Sequence, residues 1–139
     1  MPSDNTEATE AFFKASMEGD LRSMKKHIKA GADINASSAS GSMPLHSASL
    51  GGRTPVVKLL LENEADPNVR DKFGKTPLHS ACRNGHLDIV NMLIDKSADV
   101  NPQAKNGTLP LDWAIKFEME DVAEVLRKHG AKEGKKTKW

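Results

Sequence analysis

Apolar residues recur along this chain at helical spacing, in short bursts separated by glycine or polar turns. A helical pattern starts at Glu7 to Ala11 and runs through Phe12, Ala15 and Ser16 to Gly19, where a helix terminator belongs. Leu21, Met24 and Ile28 then fall on one side of a second helix, with Arg22, Lys25, Lys26 and Lys29 on the other. Together the two segments predict a helical hairpin. Further along, Pro44 opens a short helix that carries Leu45 and Ala48 inward and stops at Gly51-Gly52; Thr54 as N-cap and Pro55 in the first turn restart the chain, with Val56, Val57, Leu59, Leu60 and Leu61 as the buried stripe. The scheme returns with Leu78 and Ala81, then Leu87, Ile89, Val90, Leu93 and Ile94, and again with Leu111 and Ala114, then Val122, Ala123, Val125 and Leu126. Proline suits the first helical position because an N–H there has no partner within the helix.

These bursts share one period. Asn35, Asn68 and Asn101 close the runs ADIN, ADPN and ADVN at a step of 33 residues, and the same step links Pro44, Pro77 and Pro110, the alanines 15, 48, 81 and 114, and Gly19, Gly52 and Gly85. Gly41, Gly74 and Gly107 share it too, where a tight turn wants positive φ. The stretch from Gly74 to Asn101, GKTPLHSACRNGHLDIVNMLIDKSADVN, contains TPLHSA at Thr76 to Ala81, which matches the T-P-L-H-x-A signature of ankyrin repeats. Over residues 6 to 131 the chain resembles the ankyrin-repeat family. The resemblance implies an all-α repeat solenoid of four ankyrin repeats, each a helix-turn-helix with a β-hairpin-like loop, forming one domain over residues 1–139. The expected division is 6–35 as an N-terminal cap, 36–68 and 69–101 as full repeats, 102–134 as a C-terminal cap and 135–139 as a basic tail. In size and repeat count this is similar to small stand-alone family members of the myotrophin type.

The end repeats depart from the pattern in a way that suits caps. In the first, Ala11 replaces the proline and Phe13 the histidine. In the last, Leu109 replaces the threonine, Asp112 the histidine and Glu118 the glycine, while Arg127 stands where the inner repeats have Leu61 and Ile94. A terminal repeat has no outer neighbour, so a polar outer face keeps it soluble.

Charge and composition exclude several classes. Twenty basic against nineteen acidic residues give a net charge of +1, so no global field favours nucleic acid or an acidic membrane. One cysteine excludes an internal disulfide framework and fits the reducing cytoplasm or nucleus. The acidic start MPSDNTEATEAFF is no secretory signal. The longest apolar runs, near Val56 to Leu61 and Ile89 to Ile94, are broken by Lys58 and Asn91 and fall short of the roughly 20 residues that span a bilayer. No Walker, nucleophile-elbow or zinc-protease motif occurs, and a non-enzymatic monomer without cofactor is expected.

The family resemblance implies that a concave surface of hairpin tips and first helices binds another protein. Positions that vary between repeats in register are free of the repeat's structural duties, and they nominate Leu50, Lys72, Phe73, Lys75, Arg83, Asn84, Lys105, Asn106, Lys116 and Phe117 as partner-binding, with Ala39, Ser40 and Ser42 as the tip of the second repeat. Lysines and arginine would steer an acidic partner, while Phe73, Phe117 and Leu50 would anchor apolar side chains within it. Ordinary solubilising charge around a lone exposed Phe73 is the plainer alternative. Trp113, in register with Ser47 and Ser80, is expected to cover the core edge of the last repeat, with extension of the concave face as the alternative.

Other residues admit two meanings. His79, Cys82 and His86 have metal-ligand spacing on a helix but lack a fourth donor. The resemblance makes His46 and His79 structural histidines that bond backbone near the hairpins, Cys82 a buried small residue, and His27 a half-buried packing residue. The Ala-Asp-x-Asn runs read as turn formers; in ankyrin proteins an asparagine there with a leucine eight residues earlier is also an acceptor for asparaginyl hydroxylases, which nominates Asn68 and Asn101. Arg127, Lys128, Lys132, Lys135, Lys136 and Lys138 against only Glu133 give a basic end. An adaptor for nucleic acid or acidic lipid working through that tail is the rival to protein binding, and a merely solvated tail is the plain reading.

Overall fold

The computed structural model describes residues 6–37 and 43–134. The expected turn at Gly41, the tip positions Ala39, Ser40 and Ser42, and the tail 135–139 lie outside the described residues. Eight α-helices are described: α1 Thr6–Glu18, α2 Leu21–Lys29, α3 Pro44–Gly51, α4 Thr54–Glu62, α5 Pro77–Arg83, α6 Leu87–Asp95, α7 Pro110–Lys116 and α8 Glu120–Lys128. They pair as antiparallel hairpins. The first helices α1, α3, α5 and α7 pack in one row and the second helices α2, α4, α6 and α8 in another, which is the expected solenoid.

The period reappears as layers of core. Phe12, Leu45, Leu78 and Leu111 occupy one register and are buried, as are the four alanines that let the paired helices approach. Met24, Val57, Val90 and Ala123 form a second layer, and Leu60, Leu93 and Leu126 a third, in which His27 is the half-buried first member. Each fully buried aliphatic side chain contributes roughly 1.5–3 kcal/mol, so the layers are what hold neighbouring repeats together.

Pro44, Pro77 and Pro110 each begin a first helix, and the residue before each is extended, as proline sterics require. Thr54, expected as the N-cap of α4, is instead its first helical residue; its N–H turns back to the Gly52 carbonyl at 3.0 Å and Arg53 takes the cap position. Between helices of a pair, Gly19, Gly52 and Gly85 adopt φ of +74°, +71° and +69°, and the next N–H returns to the carbonyl of the conserved-register alanine. Glu118 holds the same left-handed turn at φ +59°. An L side chain there is strained by about 1 kcal/mol, partly offset by the greater freedom of unfolded glycine. Glu118→Gly is therefore expected to raise the melting temperature by about 2–4 °C, readable by circular dichroism; a drop would mean that the Glu118 side chain makes contacts worth more than the strain.

Two sets of side chains stitch repeat to repeat. Asp33, Asp66 and Asp99 form the expected local turns by accepting from the N–H of Asn35, Asn68 and Asn101 at 2.9–3.0 Å. The asparagines do more than turn: their Oδ1 atoms accept from the N–H of Asp66, Asp99 and Lys132 in the following unit at 2.7–2.9 Å. His46 and His79 are the second set. His79 Nδ1 accepts from Thr76 N–H at 3.1 Å, so its proton is on Nε2, which donates to the Thr108 carbonyl at 2.9 Å. His46 Nε2 likewise reaches the Lys75 carbonyl at 2.7 Å. Burial holds His79 down at about 4, and lowers His46 as well, against the opposing pull of those carbonyls.

The last repeat shows why Asp112 can stand in for the histidine. Its Oδ2 accepts from Leu109 N–H at 2.8 Å, the capping role His79 plays for Thr76. Its Oδ1 accepts from Gly134 N–H at 2.8 Å, where the histidines of the preceding repeats donate to a hairpin carbonyl. An acceptor suits this position and a donor does not.

Candidate functional site

The tip of the third hairpin is built by Asp71. Its Oδ1 accepts from Phe73 N–H at 2.8 Å and Lys75 N–H at 2.9 Å, its N–H meets the Lys75 carbonyl, and Gly74 turns the chain at φ +76°. The tight turn pushes Phe73 outward, where it is 55% exposed. Lys72 and Lys75 lie over its ring at 5.2 and 5.8 Å. Lys105 N–H donates to the Phe73 carbonyl at 2.9 Å, and the Arg70 guanidinium bridges the carbonyls of Gly74 and Gln103, so the third and fourth tips are tied. A Cβ at Gly74 would sit 3.1 Å from the Lys105 amide nitrogen, a tight approach that adds to the strain a side chain would meet at φ +76°.

Helix α7 supplies the other half. Trp113, Lys116 and Phe117 share one face at i, i+3 and i+4. The indole and the Phe117 ring stack at 5.6 Å with planes 3° apart. Arg83, in register with Lys116 one repeat earlier, lies 5.7 Å from the Trp113 ring and 5.8 Å from Phe117, and Lys116 lies 5.9 and 5.7 Å from them. Lys75 joins the halves, since its ammonium is also 5.1 Å from Trp113. Each such cation–π contact contributes roughly 0.5–1 kcal/mol at an exposed site and holds a flexible side chain in place. Among the described residues, none of Lys72, Lys75, Arg83 and Lys105 pairs with a carboxylate.

Six of the ten nominated residues thus gather around three rings: Lys72, Phe73, Lys75, Arg83, Lys116 and Phe117. Lys105 and Asn106 join Phe73 and Lys75 at a cleft between the tips. Asn106 also shapes its own turn by accepting from Thr108 N–H. Leu50 is exposed on α3, in register with Arg83 and Lys116, and with Met17 before it the row of first helices runs from apolar to basic. Asn84 is exposed too, but its amide donates to the Leu50 carbonyl at 2.8 Å and so links the second and third repeats. Trp113 was absent from the nominated set. It packs partly against the core, as expected, and also carries the stacked surface. The signal was available in its spacing to Lys116 and Phe117.

His86 and the cysteine are engaged singly. His86 caps α6, lies over Gly52 and reaches the Leu50 carbonyl at 3.1 Å, while Cys82 is fully buried and burial pushes its thiol up. Among the described residues no three His, Cys, Asp or Glu side chains are grouped to hold a metal ion, and no helix is long and apolar enough to cross a membrane. Asn68 and Asn101 bond the next repeat through their amides, and the leucines eight residues before them are fully buried.

A family model described as ankyrin repeats in three copies matches residues 12–104 and again 65–137. The chain belongs to the ankyrin-repeat family. No curated protein is found to match it. Ankyrin repeats are generally protein–protein interaction modules and typically non-enzymatic, so the aromatic and basic face lies on a scaffold suited to binding.

Proposed function

We propose that this ankyrin-repeat protein is an intracellular binding module that holds an acidic protein segment with embedded apolar side chains on its concave face, as an adaptor or inhibitor. The observation that carries the reading is the interleaving of Phe73, Trp113 and Phe117 with Lys72, Lys75, Arg83 and Lys116 on one surface. Rings supply anchors, and cations already held over them bind an acidic partner with little further ordering. Leu50 extends the apolar end of the same row.

Replacing Phe73, Arg83 and Phe117 together by alanine is expected to remove a bound partner from affinity capture while the melting temperature changes by only a few degrees. Undiminished capture by a folded triple variant contradicts the assignment. The rival, nucleic acid or acidic lipid at the basic tail, is separated by truncation after Gly134. Cutting at Gly130 would also remove Lys132 and Gly134, whose N–H groups bond Asn101 and Asp112. Lost binding with an intact repeat fold favours the tail; retained binding favours the concave face.

A further inference from the structure

The cleft between the third and fourth tips has a volume of about 200 Å³ and is lined by Phe73, Lys75, Lys105 and Asn106. That is enough to admit one side chain together with some solvent. Its base is fixed by the Lys105 N–H to Phe73 carbonyl bond and by Arg70 across both tips. One wall is an exposed ring, and the opposing charges are two ammonium groups without a carboxylate partner among the described residues.

We propose that this cleft is a specificity subsite for a single acidic side chain, glutamate by preference, of a partner's segment. Its methylene stem lies along Phe73 and its carboxylate sits between the ammonium groups of Lys75 and Lys105. The proposal rests on the protein-binding reading above and names the chemistry of one contact within it. Lysine point charges attract phosphate as well as carboxylate, but tight phosphate sites usually add converging backbone N–H groups or a guanidinium fork. Here the Lys75 and Lys105 amides are already committed to Asp71 and to the Phe73 carbonyl, and Arg70 is turned to two carbonyls. What remains to meet a ligand is an apolar ring and point charges, which fit a carboxylate on a short stem. Lys75 also lies over Trp113, so filling the cleft must disturb the indole.

The test uses the ¹⁵N-labelled full chain carrying Trp139→Phe, which leaves Trp113 as the sole indole of the two in the sequence. The probe is a short peptide of alternating Glu and Leu, acetylated and amidated, titrated to millimolar concentration. Shifts at Lys75, Lys105 and the Trp113 indole N–H are expected, with about a tenfold loss of affinity in Lys75→Met/Lys105→Met, which keeps the stems and removes the charge. The subsite is overturned if that variant binds as tightly as the parent, if a Gln–Leu peptide binds equally well, or if a peptide whose only carboxylate is its C-terminus does. An oligothymidylate that produces the same shifts more tightly also overturns it, in favour of nucleic acid. Arg83→Glu/Lys116→Glu separates the two levels: weakened peptide binding there with none at the cleft variant keeps the concave face and removes the subsite, while no effect of either removes both.

Discussion

Arg83→Glu/Lys116→Glu is expected to lower affinity for the proposed protein partner at least about a hundredfold and to leave the repeat fold intact. Both side chains lie over the stacked Trp113 and Phe117 rings, so a partner carboxylate that meets them does so beside apolar surface, with part of the water removed. Breaking such a contact costs roughly 2 kcal/mol or more, and reversal adds repulsion. The cost to folding is smaller. Arg83 and Lys116 are exposed and sit in the last turns of α5 and α7, where reversing charge against the helix dipole costs about 0.3–1 kcal/mol each. Surface plasmon resonance at two ionic strengths reads the affinity, and the double variant should also flatten its salt dependence. An affinity within threefold of the parent would place the contact elsewhere.

The second large effect is on stability and belongs to His79. Folded, it is held at about 4 by burial; unfolded, it returns to about 6.5. Between these values the unfolded chain binds a proton that the folded one does not, so its contribution is complete above pH 6.5 and is lost as pH falls toward 4. From pH 7.5 to pH 5 that amounts to about 2 kcal/mol, to which the lowered His46 adds in the same direction. Removing the ring also strands the buried Thr76 N–H and Thr108 carbonyl and opens a cavity, so His79→Ala should cost about 3–5 kcal/mol at pH 7.5. Urea unfolding at the two pH values checks both statements. The variant should lose less stability on acidification than the parent, and an equal loss would contradict the account.

The solenoid was legible because it is written four times: a helical hairpin that cannot bury its own apolar face must repeat, and the repetition exposes the period. Proline at the helix starts and the left-handed turns followed from local chemistry plus that register, and the two structural histidines from the family resemblance. The surface was less legible, since free variation in register identifies residues without structural duty but not the duties that reach across repeats. Asn84 varies, yet its amide meets a carbonyl 34 residues earlier. Asp112 looked like loss of a histidine, yet its carboxylate accepts from the Gly134 N–H where the histidines donate to a carbonyl. For Trp113 the sequence left core cover and concave face as alternatives, and a large indole does both, covering a core edge with one side while stacking with the other.

Photo-cross-linking in the cell tests the central claim most directly. A photoreactive residue at Phe73 or Phe117 samples the concave face, and one at Lys58 or Asn91, exposed on α4 and α6, samples the second helices. The concave-face account predicts a protein adduct from 73 and 117 that fades in Arg83→Glu/Lys116→Glu, and none from 58 or 91. An adduct confined to 58 or 91, or one at 73 and 117 indifferent to the charge reversal, would contradict it.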